Sequence, residues 1–154
     1  MKTHTELVNH FYYNKKVLED ALGLSYVWIR DREYLINRNT NERADLVFQD
    51  MFDPYKALKE ATCYVLEIKK EKGDHEILGQ LMKYIEVVEK IGKSTGHWGT
   101  VKGMAAAHDY TESGVRLLWK AKFKTFLIRE LDGGSIYLKE IKMKRKASVM
   151  LQAF

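Results

Sequence analysis

Three side chains on two neighbouring apolar runs are the most chemically suggestive part of the chain: Asp45 in RADLVFQD, and Glu67 and Lys69 in YVLEIKK. Hydrolysis of a phosphodiester at neutral pH requires neutralising the scissile phosphate, producing a hydroxide-like nucleophile and stabilising the leaving oxygen. A carboxylate-bound Mg²⁺ can do all three. Asp45 and Glu67 are hard oxygen donors suited to that ion, which keeps several waters, so two carboxylates and the Ile68 carbonyl suffice on the protein side. Lys69 lies two residues beyond Glu67, so in a strand its ammonium shares a face with the carboxylate. There it can reach the attacking water or the phosphate, as base or as positioning group; both roles stay open. Taken alone, acid-x-lysine also describes a surface ion pair at a strand end. Gln80 and Tyr84 add to it, because four-residue spacing places an amide and a phenol on one helix face.

The elements that must position these residues follow from periodicity. Thr5 to about Leu22 has helical spacing with Gly23 as a stop, and a bend is expected near Asn14. Ser25 to Ile36 reads as a strand interrupted by a polar turn at Arg30-Asp31-Arg32, and Ala44 to Phe48 as a short strand carrying Asp45. Met51 to Thr62, with the single proline Pro54, excludes a two-residue hairpin and predicts an excursion. Cys63 to Ile68 is apolar enough for a strand buried on both faces, ending at the charged run Lys69 to Lys72. Asp74 to about Gly92 is strongly amphipathic, with Asp74 as cap and Gly92 as stop. A strand over Trp98 to Ala107, a helix over Thr111 to Ala121, a strand over Thr125 to Ile128 and a hairpin at Gly133-Gly134 complete a mixed α/β arrangement, with helices packed on a central sheet.

A length of 154 residues with 45% hydrophobic content allows one domain with a sizeable core, taken as residues 1–154, and no repeat or linker divides it. The lone Cys63 excludes an internal disulfide and a cysteine zinc site; in an apolar strand it is expected to be buried and inert. No apolar run reaches the length of a spanning helix and no signal-peptide core is visible, so a soluble cytoplasmic protein, without membrane association, is expected. The net charge of +5, from 26 Lys and Arg against 21 Asp and Glu, is concentrated at Lys120, Lys122 and Lys124 and again at Lys139, Lys142, Lys144, Arg145 and Lys146. Such runs suit a polyanion and equally a solvated surface. His75, His97 and His108 lie on different elements without a repeated spacing and are left out of the site, while Trp98 and Trp119 are expected in the core.

In chain order, Glu6, Arg43-x-Asp45, Glu67-Ile-Lys69 and Gln80-x-x-x-Tyr84 resemble the PD-(D/E)XK nuclease superfamily. The chain looks most like the catalytic domain of the NucS/EndoMS type, with RecB-like nucleases next, over roughly Thr5 to Leu118. The resemblance implies a restriction-endonuclease-like α/β fold, a central mixed β-sheet flanked by α-helices. It also implies metal ligation by Asp45, Glu67 and the Ile68 carbonyl with Glu6 as accessory acid, Lys69 as the catalytic lysine, and Gln80 and Tyr84 organising the site. Arg43, Lys70, Lys72 and Lys102 are the expected phosphate contacts. Ala44 stands at the superfamily's proline, Lys102 replaces an arginine, and the residues Asp50 to Thr62 replace a tight turn. That insertion could read substrate, contact a dimer partner or do neither.

The function expected is a Mg²⁺-dependent deoxyribonuclease, with Mn²⁺ able to substitute, in which a metal-bound water attacks a DNA phosphodiester; an endonuclease is preferred. Cutting two strands takes two sites, which favours a homodimer, and a short nuclease chain also suits a virus or mobile element. Two rivals stay open: an inactive nucleic-acid-binding module on the same fold, and an interaction protein in which Glu67 and Lys69 are a surface ion pair.

Overall fold

A computed structural model of the chain describes residues 2–50 and 57–142, and the backbone of 143 and 151–153. Two helices, α1 (His4–Tyr13) and α2 (Lys16–Leu22), precede strands β1 (Val27–Asn37), β2 (Glu42–Asp50) and β3 (Thr62–Gly73). Helix α3 (Glu76–Thr95) leads to β4 (Thr100–Tyr110), and α4 (Glu112–Lys120) leads to β5 (Lys124–Glu130), β6 (Ile136–Met143) and β7 (Leu151–Ala153). The strands lie side by side in chain order, β1 to β7. Pairs β1–β2 and β2–β3 are antiparallel, β3–β4 and β4–β5 are parallel, and β5–β6 and β6–β7 are antiparallel again. Each parallel step needs a crossover, and α3 and α4 supply the two. The result is a restriction-endonuclease-like mixed sheet between helices.

Each face of the sheet has its own core. Val65, Ala105 and Ala107 pack with Leu81 and Val88 of α3 and Leu118 of α4, while Leu66, Ile68, Met104 and Phe126 pack with Leu7 and Phe11 of α1 and Leu18 of α2. Strands β3 and β4 are covered on both sides, which is why their sequences run apolar rather than alternating.

Several elements differ from the sequence expectation, each for a local reason. The first helix is broken into two: Asn14 caps α1, its amide N–H and its side-chain Nδ2 both donating to the His10 carbonyl. Arg30 to Arg32 makes no turn; β1 continues through it with a bulge between Ile29 and Asp31. The Arg30 and Arg32 guanidinium groups lie over Trp28 and Tyr12, at 4.5 and 4.7 Å from the ring centres. The charged run after Ile68 stays in the sheet because β4 pairs with it as far as Gly73 opposite Tyr110. Helix α3 passes through Gly92 and stops at Gly96, which adopts a φ of 72°. Gly92 serves packing instead, with the Trp98 indole lying on it and donating to the Val88 carbonyl at 3.0 Å. Trp98 is core as expected, whereas Trp119 is 44% exposed.

The Gly133-Gly134 hairpin forms as read, both glycines having positive φ. Of the insertion, residues 51–56 lie outside the described residues, and Leu58–Glu60 form a short 3-10 turn against which Gly99 packs. The basic Lys144, Arg145 and Lys146 also lie outside them. Among the described residues, no helix is long and apolar enough to cross a membrane.

A Cβ at position 92 would stand 2.3 Å from Trp98 Nε1 and 3.0 Å from the Trp98 carbonyl oxygen. Gly92→Ala, although a better helix former, should therefore lose about 1–3 kcal/mol of stability through overpacking. Urea denaturation measures this, and a variant as stable as the parent would refute the close indole contact.

Candidate active site

The ladder between β2 and β3 runs from Gln49 opposite Cys63 to Leu46 opposite Leu66 and stops there. One residue further the two acids take over the backbone groups. The Asp45 amide donates to Glu67 Oε1 at 3.1 Å, and the Ile68 amide donates to Asp45 Oδ2 at 2.7 Å. Each carboxylate thus holds the opposite strand's main chain, so both are oriented by backbone amides. Asp45 is 8% exposed and Glu67 4%. Buried amides rarely go unpaired, and here the bonds that satisfy them also orient the acids.

Two negative groups this close and this dry cannot both ionise cheaply. Burial, then the Asp45 charge, push the Glu67 carboxyl up to about 8. Tyr84 of α3 faces the same charges: burial first and Glu67 next raise its phenol to about 12, so it stays protonated at neutral pH. His4, the first residue of α1, places Nε2 3.1 Å from Asp45 Oδ1, and that hydrogen bond raises its pKa against the opposing effect of burial.

The residues expected at the site divide into two groups. Asp45, Glu67, Lys69 and Tyr84 are brought together. Glu67 and Lys69 continue the row of Cys63 and Val65, on the sheet face covered by α3, and the Lys69 charge is close enough to favour ionisation of Glu67. Gln80 lies one helical turn before Tyr84, its Oε1 buried without a hydrogen-bond partner among the described residues. The Ile68 amide is engaged as described.

The others sit elsewhere. Glu6 is not at the carboxylates: it is the third residue of α1, exposed, and its carboxylate accepts from the Thr3 amide at 3.0 Å while Thr3 Oγ1 accepts from the Glu6 amide. Thr3-x-x-Glu6 is a capping box, and satisfying the free amides of the helix start is the physical reason the acid turns away. Arg43 is folded back on the β1–β2 turn, bound to Asn41 Oδ1 and the Glu33 carbonyl. Lys102 pairs with Tyr64, in the row of Met104 that faces the α1/α2 core, so it is on the other side of the sheet from Glu67. Lys70 gives its carbonyl to His108 Nδ1, and the Lys72 ammonium stands 3.9 Å from Asp109.

The histidines left out of the site are indeed elsewhere: His75 precedes α3, His97 meets Arg30, and His108 joins Glu130. His4 is the group that sequence reasoning missed. Its one signal was position, directly after the Thr3 cap. Burial pushes the Cys63 thiol up to about 12, which keeps it an unreactive thiol.

The donor chemistry suits a hard divalent cation: two buried carboxylates whose mutual repulsion it would relieve, with backbone carbonyl and water oxygens completing its shell. Among the described residues no three His, Cys, Asp or Glu side chains gather into a metal-holding cluster. Asp45 and Glu67 are therefore the side-chain donors such an ion would have.

Solved structures with the same fold include a repair endonuclease from Pyrococcus abyssi, with a TM-score of 0.57 and 22% identity over 81% of this chain and 46% of that one. EndoMS in a complex with double-stranded DNA matches with a TM-score of 0.58 and 20% identity, over 81% of this chain and 44% of that one. EndoMS in its apo form matches at 0.50 and 16%, covering 80% and 44%. No protein-family model matches the chain, and no curated protein does. At these identities what is shared is the fold, the NucS/EndoMS-like nuclease fold, and the chain spans less than half the length of those nucleases.

The raised carboxyl has a pH signature. Unfolded, Glu67 releases its proton near its ordinary value of 4.5; folded, it keeps the proton to about 8. The folded state binds more protons between those values, so metal-free stability should be highest at the acid end of that window and fall as pH rises through it. Glu67→Gln, which can still accept from the Asp45 amide, should flatten that decline. Thermal unfolding across the window in chelator checks both, and an unchanged slope in the variant would sink the assignment.

Proposed function

We propose that the chain is a divalent-metal-dependent nuclease that hydrolyses DNA phosphodiester bonds at Asp45, Glu67 and Lys69. The observation that carries it is the crossed pair: two buried acids locked to each other's strands where β2 and β3 part, with an ammonium on the same face two residues on. A purely structural role would not bury two carboxyl groups side by side, because holding them together costs stability unless something later compensates it.

Asp45 and Glu67 are the side chains that would hold Mg²⁺, or Mn²⁺ in its place, with the Ile68 carbonyl as the backbone donor. When bound, such an ion neutralises charge on the scissile phosphate and lowers the pKa of the attacking water. Lys69 adds a positive charge on that side, orienting the nucleophile or the phosphate oxygen. Tyr84, held as a neutral phenol, offers a hydrogen-bond donor, and Gln80 an acceptor without a partner among the described residues. The fold seen in the repair endonucleases supports this reading, as does the DNA in the EndoMS complex. An endonuclease acting inside the cell, as a homodimer when both strands are cut, belongs to the same proposal.

Incubation with single-stranded, duplex, mismatched and branched DNA in Mg²⁺ or Mn²⁺ tests it. Asp45→Ala, Glu67→Ala and Lys69→Ala should each lower cleavage by about 10²-fold or more. Mg²⁺ should raise the Tm of the parent and leave that of Asp45→Ala and Glu67→Ala unchanged. Cleavage surviving all three substitutions overturns the site. DNA binding without any cleavage by the parent would instead make the chain a binding module.

A further inference from the structure

Away from the carboxylates, the described surface carries a second concentration of positive charge around the start of β4 and β5 and the end of α4. Two cavities, of about 590 and 610 Å³, adjoin there and share Lys122, Phe123 and Lys124 as a common wall. The first lies on the α1/α2 face of the sheet and reaches Lys102 and Tyr64; the second lies on the α4 face and reaches Trp119 and Lys120. Asp45, Glu67 and Lys69 line neither. Lys102, Lys120, Lys122 and Lys124 are all exposed, and Trp119 presents 44% of its surface. The nearby acid is Glu140, whose carboxylate is 3.8 Å from the Lys124 ammonium, so the second cavity stays cationic on balance.

The backbone marks the same place. Helix α4 closes with the Lys122 amide on the Trp119 carbonyl and the Phe123 amide on the Leu118 carbonyl, which puts Lys122 at a φ of 62°. Glycine is the residue favoured at this left-handed position, and a lysine there carries a conformational cost. Strained residues that persist are concentrated at binding and catalytic positions, and this one holds an ammonium on the shared wall of the two cavities.

We propose that the second cavity is a binding surface for single-stranded nucleic acid, separate from the carboxylate site, in which Lys120, Lys122 and Lys124 follow the phosphates and Trp119 stacks on a base. A duplex hides its base faces, whereas a single strand offers each of them to an exposed indole, so the pairing of Trp119 with surrounding lysines fits a single strand. The surface is independent of the nuclease reading, since it uses neither acid.

The test is fluorescence anisotropy of a labelled oligothymidylate of about 12 nucleotides, with full-length Asp45→Ala protein in chelator so that nothing is cut. Trp119→Ala in that background should weaken binding about tenfold, the size of one lost base stack, with unchanged Tm. Lys122→Gly should also weaken binding and lower the slope of log affinity against log salt by about 0.7, while its Tm stays level or rises because glycine relieves the left-handed position. Inorganic polyphosphate should respond to the lysine substitution and not to Trp119→Ala. Unchanged oligonucleotide binding in both variants overturns the proposal, and so does a Trp119→Ala loss that is equal for polyphosphate. Loss of cleavage in the nuclease assay with this binding intact would fall on the carboxylate site alone.

Discussion

The point on which the molecule turns is the end of the β2–β3 ladder. Two strands that stop pairing must dispose of their next amides, and here each amide goes to an acid on the other strand. The same two bonds close the sheet, orient both acids and bring two carboxyl groups together in a dry place. Local folding and stored electrostatic tension therefore have one origin. Truncating either acid would leave a buried amide unsatisfied as well as deleting an ionisable group, so such a change alters structure and chemistry together.

The arrangement around that point follows from topology. Because β3 and β4 are parallel, α3 must cross over the sheet between them, and its crossing lays Tyr84 beside the row containing Glu67. The antiparallel meander before β3 brings Asp45 in from the other side. Helices α1 and α2 cover the opposite face, yet the first turn of α1 still reaches Asp45 through His4. The acids are thus supplied by neighbouring strands, while the groups that modulate them come from helices on both faces.

Much of this was legible in the chain because it is local. The apolar runs of β2 and β3, the i to i+2 relation of Glu67 and Lys69, the amphipathic stripe of α3 and the Gly133-Gly134 turn depend on near neighbours and came out as expected. The misses depend on distant partners or on a competing local rule. Lys69 to Lys72 reads as an exit from the sheet until β4 pairs with it. Gly92 reads as a stop until Trp98 lies against it. Glu6 matched a motif order, but its spacing from Thr3 assigns it to the helix cap. Arg43 and Lys102 have the right type in the right order, and the faces they occupy are set by the β1–β2 turn and by register with Tyr64. His4 had no motif to announce it, since its partner is 41 residues further along.

The bulge in β1 has a consequence for how copies of this chain meet. This strand is an outer margin of the sheet, eleven residues long, and a flat margin of that length is a template on which another chain's strand can hydrogen-bond. The extra residue at Arg30 breaks the repeat, and Glu33 adds a positive φ in the same stretch. Arg30 and Arg32 lie across neighbouring aromatic rings, clothing the margin in charge. The break in the repeat and the charge along it disfavour open-ended growth of the sheet into a fibre on this side.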